Sequence, residues 1–182
     1  MATHYFTASS LDGYIATTEH SLDWLLTQDI DMEGPMAYPA FEKSIGALVM
    51  GSSTYEWVMR HEEGRWAYEQ PTWVLSHREL AVPTGADVRV TSAAIPDVHA
   101  AMHEAAEGKD LWVVGGGDVA AQFADAGLLD EVWVQYAPVT LGGGAPLLPR
   151  RLDLDLIEVA RNRSFLCGRY RVAGRSAGST AP

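Results

Sequence analysis

The sequence predicts one α/β domain, a mostly parallel sheet closed near its C-terminus by an antiparallel hairpin. Three observations carry that expectation. Short unbroken apolar runs at Ala47–Met50, Thr72–Leu75 and Asp110–Val114 alternate with helical stretches, the pattern of strands buried on both faces. Two of these runs, Ala47–Met50 and Asp110–Val114, give way to glycine or small hydroxyl residues that open a helix. The chain then closes with two alternating runs, Asp155–Arg161 and Phe165–Val172, parted by Asn162-Arg163-Ser164.

Taken in order, Thr3–Ser9 reads as a strand rich in Thr, Tyr and Phe. Ser10-Leu11-Asp12-Gly13 is a turn, and Tyr14–Thr17 is extended again. Residues 18–36 read as a long surface loop of the kind that often carries function. Tyr38–Ile45 forms a short helix ending near Gly46. Ser52-Ser53-Thr54 offer an N-cap for a helix through Met59. Asp87–Thr91 is a weaker strand, and Ser92 or Asp97 caps a helix that runs to Glu107 and stops at Gly108. Gly115-Gly116-Gly117-Asp118 lead into a helix over Val119–Asp125, stopped by Gly127, and Glu131–Ala137 is a strand. Residues 1–174 form one domain, and 175–182 are a small, polar tail.

Composition narrows the function. The chain has 182 residues, 47% of them hydrophobic and 20% charged, so it can bury a core without staples. A formal charge of -11 repels a phosphate backbone, which argues against nucleic-acid binding. Seven arginines (150, 151, 161, 163, 169, 171 and 175) gather near the C-terminus and leave room for a local anion site. The single cysteine, Cys167, excludes an internal disulfide and reads as structural. No membrane-spanning run and no signal-peptide pattern is found, so a cytoplasmic location is expected.

The sharpest chemical signal is the passage from the strand Asp110–Val114 through Gly115, Gly116 and Gly117 to Asp118 and Val119. Glycine lets a ligand approach the main chain, and a helix N-terminus offers free N–H groups to an anion. Gly51, Ser52, Ser53 and Thr54 repeat the arrangement after the strand Ala47–Met50. Ser76 and Arg78 follow another strand, where a guanidinium can grip a phosphate. Such turns at successive strand ends collect a ligand, and an Arg there favours a 2′-phosphate and hence NADPH. The loose Gly115-x-Gly117-x-x-Ala120 match to a dinucleotide fingerprint lies too far along the chain. No acid follows it near Val134-Gln135-Tyr136, so a Rossmann fold is not expected.

Other candidates give less. His99 and His103 share a helix face without a third metal ligand, and Asp29, Asp31 and Glu33 lack calcium-loop spacing, so no metal is expected. Trp73, Trp112 and Trp133 read as core. Trp24 and Trp66 lie in loops and suit either a substrate pocket or a subunit contact.

Several ordered segments together resemble the dihydrofolate reductase superfamily. They are Ser9-Ser10-Leu11-Asp12-Gly13-Tyr14-Ile15-Ala16, Val49 through Glu56, Val113 through Gly117, Leu129-Asp130-Glu131, and Ala137 through Leu147. The nearer branch is the reductase domain of the bifunctional riboflavin-biosynthesis deaminase–reductase, and the likeness runs from about Tyr5 to Val172. One cysteine cannot supply a deaminase zinc site, so only the reductase part is represented.

The resemblance implies a dihydrofolate-reductase-like central mixed sheet with helices on both faces, NADPH as cofactor, and a homodimer. It places Ala16 at the nicotinamide, Gly51, Ser52, Ser53 and Thr54 at phosphates and ribose, and Ser76 and Arg78 at the 2′-phosphate. Gly115, Gly116, Gly117, Asp118 and Val119 would cover the pyrophosphate, while Asp12, Tyr136 and Leu141 would face the substrate. Asp12 is the candidate proton donor, with Tyr136 or water as substitutes. The implied activity is hydride transfer to a small heterocyclic (pterin- or pyrimidine-like) or carbonyl or imine substrate. Rival readings are a nucleotide-binding module without turnover, or a flavin or other-nucleotide enzyme using the same cleft. Two departures stand out. Ser52 and Ser53 replace the usual cation after Gly51. The helix acid that binds pterin in dihydrofolate reductases has no counterpart near Pro35-Met36-Ala37.

Overall fold

The structure is a computed structural model, and it describes residues 1–173. The expected tail therefore lies outside the described residues. In chain order the elements are β1 (Thr3–Ser9), β2 (Tyr14–Ala16), α1 (Asp23–Leu26), α2 (Tyr38–Glu42), β3 (Ile45–Gly51) and α3 (Ser52–His61). There follow β4 (Thr72–Leu75), β5 (Val88–Thr91), α4 (Ile95–Ala105), β6 (Asp110–Gly115) and α5 (Gly117–Asp125). The chain then enters β7 (Glu131–Tyr136), β8 (Ala145–Pro146), β9 (Leu154–Asn162) and β10 (Phe165–Val172).

Eight strands form one sheet in the order β5-β4-β3-β6-β1-β7-β10-β9. The first six are mutually parallel, and β10 and β9 pair antiparallel at one edge. Alternation along the strands sorts side chains to two faces. Tyr5, Val49, Leu111, Val113, Val132 and Val134 meet Val98 and Met102 of α4 and Phe123 of α5. On the other face Phe6, Leu48 and Trp112 meet Phe41 of α2, and Met50 and Val74 meet Tyr55 of α3. The expected helices on both faces are present. Each large apolar side chain so buried is worth about 1.5–3 kcal/mol.

Several boundaries differ from expectation. Ile45 and Gly46 begin β3 rather than end a helix. A side chain on Gly46 would run into the backbone of Ala106, so close helix–strand packing explains that glycine better than a helix stop. The 18–36 loop contains the short helix α1 and is pinned by Asn162. Asn162 is a buried strand residue, not a turn: its Nδ2 donates to the carbonyls of Asp31 (2.9 Å) and Pro35 (3.1 Å), and its Oδ1 accepts the Asp31 N–H (2.9 Å). A second, two-stranded sheet pairs β2 with the short β8, which periodicity over two residues could not reveal.

At the end of the sheet where β1, β6 and β7 begin, His4 Nε2 meets Asp110 at 3.2 Å and its Nδ1 lies 3.3 Å from Glu131. The Nδ1 contact lacks hydrogen-bond geometry. Arg169 grips Glu131 with two bonds of 2.8 and 3.0 Å and covers the Trp133 ring at 4.5 Å. Burial alone would raise the Glu131 carboxyl, but the Arg169 fork and Trp133 Nε1–H hold it below its ordinary value.

Candidate active site: a cleft at three helix starts

Strands β3, β5 and β6 all point their C-terminal ends the same way, and each feeds a helix there. The starts of α3, α4 and α5 therefore converge. A cavity of about 620 Å³ opens between them and the small β2–β8 sheet. Its wall includes Gly51–Thr54, Ala94–Ile95 and Gly115–Val119, with Ser76 and His77 from the end of β4.

None of the three helices has a side-chain N-cap: the cap positions are Gly51, Ala94 and Gly116. The expected caps, Ser52 to Thr54 and Ser92 or Asp97, do not serve. The first N–H groups of a helix have no partner within it and carry partial positive charge. Three such ends facing one cavity make an anion site from main chain alone. The main-chain donors of Gly51–Thr54 and Gly116–Val119 suit a pyrophosphate.

Glycine is required at two places. Gly115 has φ of +150°, a conformation side chains rarely adopt. A Cβ on Gly117 would strike the carbonyl oxygens of Pro146 and Leu147, so the α5 start and the β8 segment approach closely.

Most of the expected cofactor residues come together. Ala16, Gly51, Ser52, Ser53, Thr54, Ser76, Gly115, Gly116, Gly117, Asp118 and Val119 line the cavity. Arg78 lies just outside, with Nη2 donating to Ser52 Oγ at 3.4 Å and to Glu56 Oε1 at 3.0 Å. Asp118 lines the cavity, and its exposed carboxylate accepts from Gln122 Nε2 at 2.8 Å along the helix.

The expected chemistry residues do not line the cavity. Asp12 is exposed and accepts hydrogen bonds from Ser10 Oγ (2.6 Å), Leu141 N–H (3.0 Å) and Gly142 N–H (2.7 Å). Led by the Ser10 hydroxyl, these donors lower its carboxyl from 3.8 to about 2. In this geometry Asp12 anchors the loop that carries Leu141 and Gly142, and its low carboxyl favours the ionised form over a proton-donating one. Leu141 belongs to that anchored loop. Tyr136 packs beside the main core, where burial and Tyr170 raise its phenol. Trp24 packs on Ala137, Phe165 and Cys167 instead of facing the cleft. Cys167 is buried, as a structural thiol should be.

The remaining candidates are also accounted for. His99 Nε2 pairs with Thr3 Oγ1 at 3.0 Å. The expected basic patch is divided: Arg150, Arg163 and Arg169 pair with Asp125, Asp29 and Glu131. Arg175 lies outside the described residues.

Sequence reasoning missed His20, Leu22, Trp57, Thr91–Ile95, Gln122 and Pro146 as wall residues. The start of α4 was the findable one. Val88–Thr91 leads to Pro96 in the first helical turn, the same strand-to-helix passage without glycine.

The sequence pattern of the RibD C-terminal domain matches residues 4–164. The chain belongs to that family. Membership puts it among reductase-type domains. A Shewanella sp. PV-4 protein named for riboflavin biosynthesis superposes with a TM-score of 0.81 at 30% identity, over 96% of this chain and 100% of that one. A Thermotoga maritima deaminase–reductase, whose reductase activity is named for 5-amino-6-(5-phosphoribosylamino)uracil, shares the fold. Its TM-score is 0.63 at 17% identity, over 94% of this chain and 56% of that one. The uncharacterized protein YwjB of Bacillus subtilis (strain 168) is 27% identical over 166 residues, covering 88% of this chain and 90% of its own. Among the described residues, no helix of this RibD C-terminal domain is long and apolar enough to cross a membrane.

Proposed function

We propose that the chain is an NADPH-dependent reductase of a small, uncharged heterocyclic (pterin- or pyrimidine-like) or carbonyl or imine substrate. The observation that carries this reading is the convergence of three uncapped helix starts on one cleft. The α5 and α3 starts take the pyrophosphate and adjoining ribose, and Ser76 and Arg78 reach the 2′-phosphate. The nicotinamide lies toward Ile15 and Ala16. When bound, the cofactor supplies the hydride; the protein binds, orients and excludes water.

Substrate class follows from the apolar part of the cavity wall. Ile15, Leu22 and Trp57 are apolar or aromatic, and no Lys or Arg lines the cavity. A phosphorylated acceptor would find no cation there, so an unphosphorylated ring or carbonyl fits better. The proton comes from solvent or from His20, a wall residue in the loop that follows Ala16.

The partner expected from the sequence is a second copy of the chain. Leu154, Leu156, Val159 and Leu166 are exposed on the β9–β10 hairpin, and their register places them on one face. An apolar strip on an edge hairpin suits a self-complementary two-fold contact.

The test is loss of NADPH absorbance with a panel of neutral pterins, pyrimidines and carbonyl compounds, beside their phosphorylated counterparts. Turnover confined to neutral acceptors is expected, with His20→Gln separating a solvent proton from an imidazole one. Tight NADPH binding with no acceptor turned over would favour the nucleotide-binding module. Turnover only of phosphoribosyl substrates would overturn the substrate class.

A further inference from the structure

The Arg78 guanidinium, just outside the cleft, is already engaged through one nitrogen. Its Nη2 donates to Glu56 Oε1 at 3.0 Å and more distantly to Ser52 Oγ at 3.4 Å. Ser52 opens α3, and Glu56 stands one turn further along the same helix. The carboxylate therefore sits beside the place where Arg78, the Ser52 hydroxyl and the α3 start meet. Tyr55 Oη donates to the Ala81 carbonyl at 2.6 Å, tying α3 to the loop that carries Arg78 and fixing the distance between them.

We propose that Glu56 sets cofactor discrimination. It competes with a 2′-phosphate for Arg78 and so limits the preference for NADPH over NADH. The proposal rests on the nucleotide reading above. A 2′-phosphate is anionic and takes the same guanidinium fork that a carboxylate takes. To take it with a fork that includes Nη2, Arg78 must loosen its bond to Glu56, and the phosphate then lies near that carboxylate. NADH meets neither cost. Its ribose 2′-hydroxyl can instead donate to a carboxylate, the role an acid plays in NAD-selective sites. Both ends of the ion pair are substantially exposed, with the Arg78 side chain 63% and the Glu56 side chain 37% accessible, so exchange of partners is unobstructed. Exposure also makes the pair modest and sensitive to salt.

The experiment measures dissociation constants for NADPH and NADH with the wild-type chain, Glu56→Gln, Arg78→Ala and the double variant, at low and at moderate salt. Glu56→Gln is expected to tighten NADPH about fivefold, with a much smaller change for NADH. Arg78→Ala is expected to weaken NADPH, and in the double variant to abolish the gain that Glu56→Gln gives alone. That gain should also shrink as salt rises. Unchanged NADPH affinity in Glu56→Gln, while Arg78→Ala still weakens it, would overturn the proposal and leave the nucleotide reading standing. Equal tightening of NADPH and NADH would also overturn it, since the effect would then not depend on the phosphate. Failure of the wild-type chain to bind either nucleotide would remove the reading beneath it. Circular dichroism of each variant separates lost binding from lost folding.

Discussion

The Asp12 carboxylate accepts the main-chain N–H of Gly142 at 2.7 Å, joining two turns that are 130 residues apart in sequence. The same turns are stitched by Leu147 N–H to the Gly13 carbonyl at 2.9 Å and by pairing of Ala16 with Ala145. Asp12 therefore shapes the small β2–β8 sheet that forms one wall of the cleft.

Because the Asp12 carboxyl is lowered to about 2, its contribution is full above its ordinary value of 3.8 and is lost as pH falls through the lowered one. Asp12→Asn should lower the urea midpoint at about pH 7, with the difference from wild type shrinking at about pH 3 and below. The pH dependence of turnover should keep its shape in the variant. Loss of an acidic limb from that profile would restore Asp12 as a proton donor.

Gly117 is held against the Pro146 and Leu147 carbonyls. Gly117→Ala should push the α5 start away from β8 and weaken nucleotide binding at least about tenfold, with a stability loss of about 1–3 kcal/mol. A Cβ on Gly143 meets nothing within 4 Å, so Gly143→Ala is the matched control. Calorimetric melting and nucleotide titration of both variants check this.

Leu156 and Val159 are each 60% exposed on β9. If the strip they form with Leu166 joins two copies, Leu156→Asp with Val159→Asp should yield monomers that keep the wild-type far-UV spectrum. Light scattering coupled to gel filtration reads the mass. A wild-type monomer at high concentration would contradict the dimer.

His99 is lowered from its ordinary value chiefly by burial, with His103 adding to the effect. A lowered histidine binds fewer protons folded than unfolded, so stability falls as pH drops through the ordinary histidine range of about 6.5. His99→Gln should keep a bond to Thr3 and flatten the decline in chemical-denaturation midpoint between about pH 7 and about pH 5. An unchanged slope would assign that pH dependence to other groups.

Much of the fold was legible because its strands are short apolar runs with abrupt ends. Asp110–Gly115 and Ile45–Gly51 are buried on both faces, and their successor helices begin within two residues. The same punctuation marked the helix-start wall of the cleft. The rest of the wall was harder to read, because its residues come from places without local signature. Trp57 is a half-buried helix residue, stacked on His61 at 4.7 Å. His20 lies in an irregular loop at positive φ. The partners of Asp12 were not legible, because its environment is set by Leu141 and Gly142, which sequence spacing cannot bring to it. The packing of Trp24 was not legible either, because the Asn162 clamp draws its loop toward β10 rather than over the cavity.

A phosphorylated nicotinamide dinucleotide in the cleft at the starts of α3, α4 and α5 is the claim on which the other readings depend. Titration of the wild-type chain with NADPH and NADH, followed by quenching of tryptophan fluorescence, tests it most directly. Saturable binding of NADPH is expected near about micromolar concentrations, tighter than NADH and weakened by Gly117→Ala. Absence of saturable binding of either nucleotide up to about millimolar concentrations would contradict it and leave the three helix starts as architecture alone.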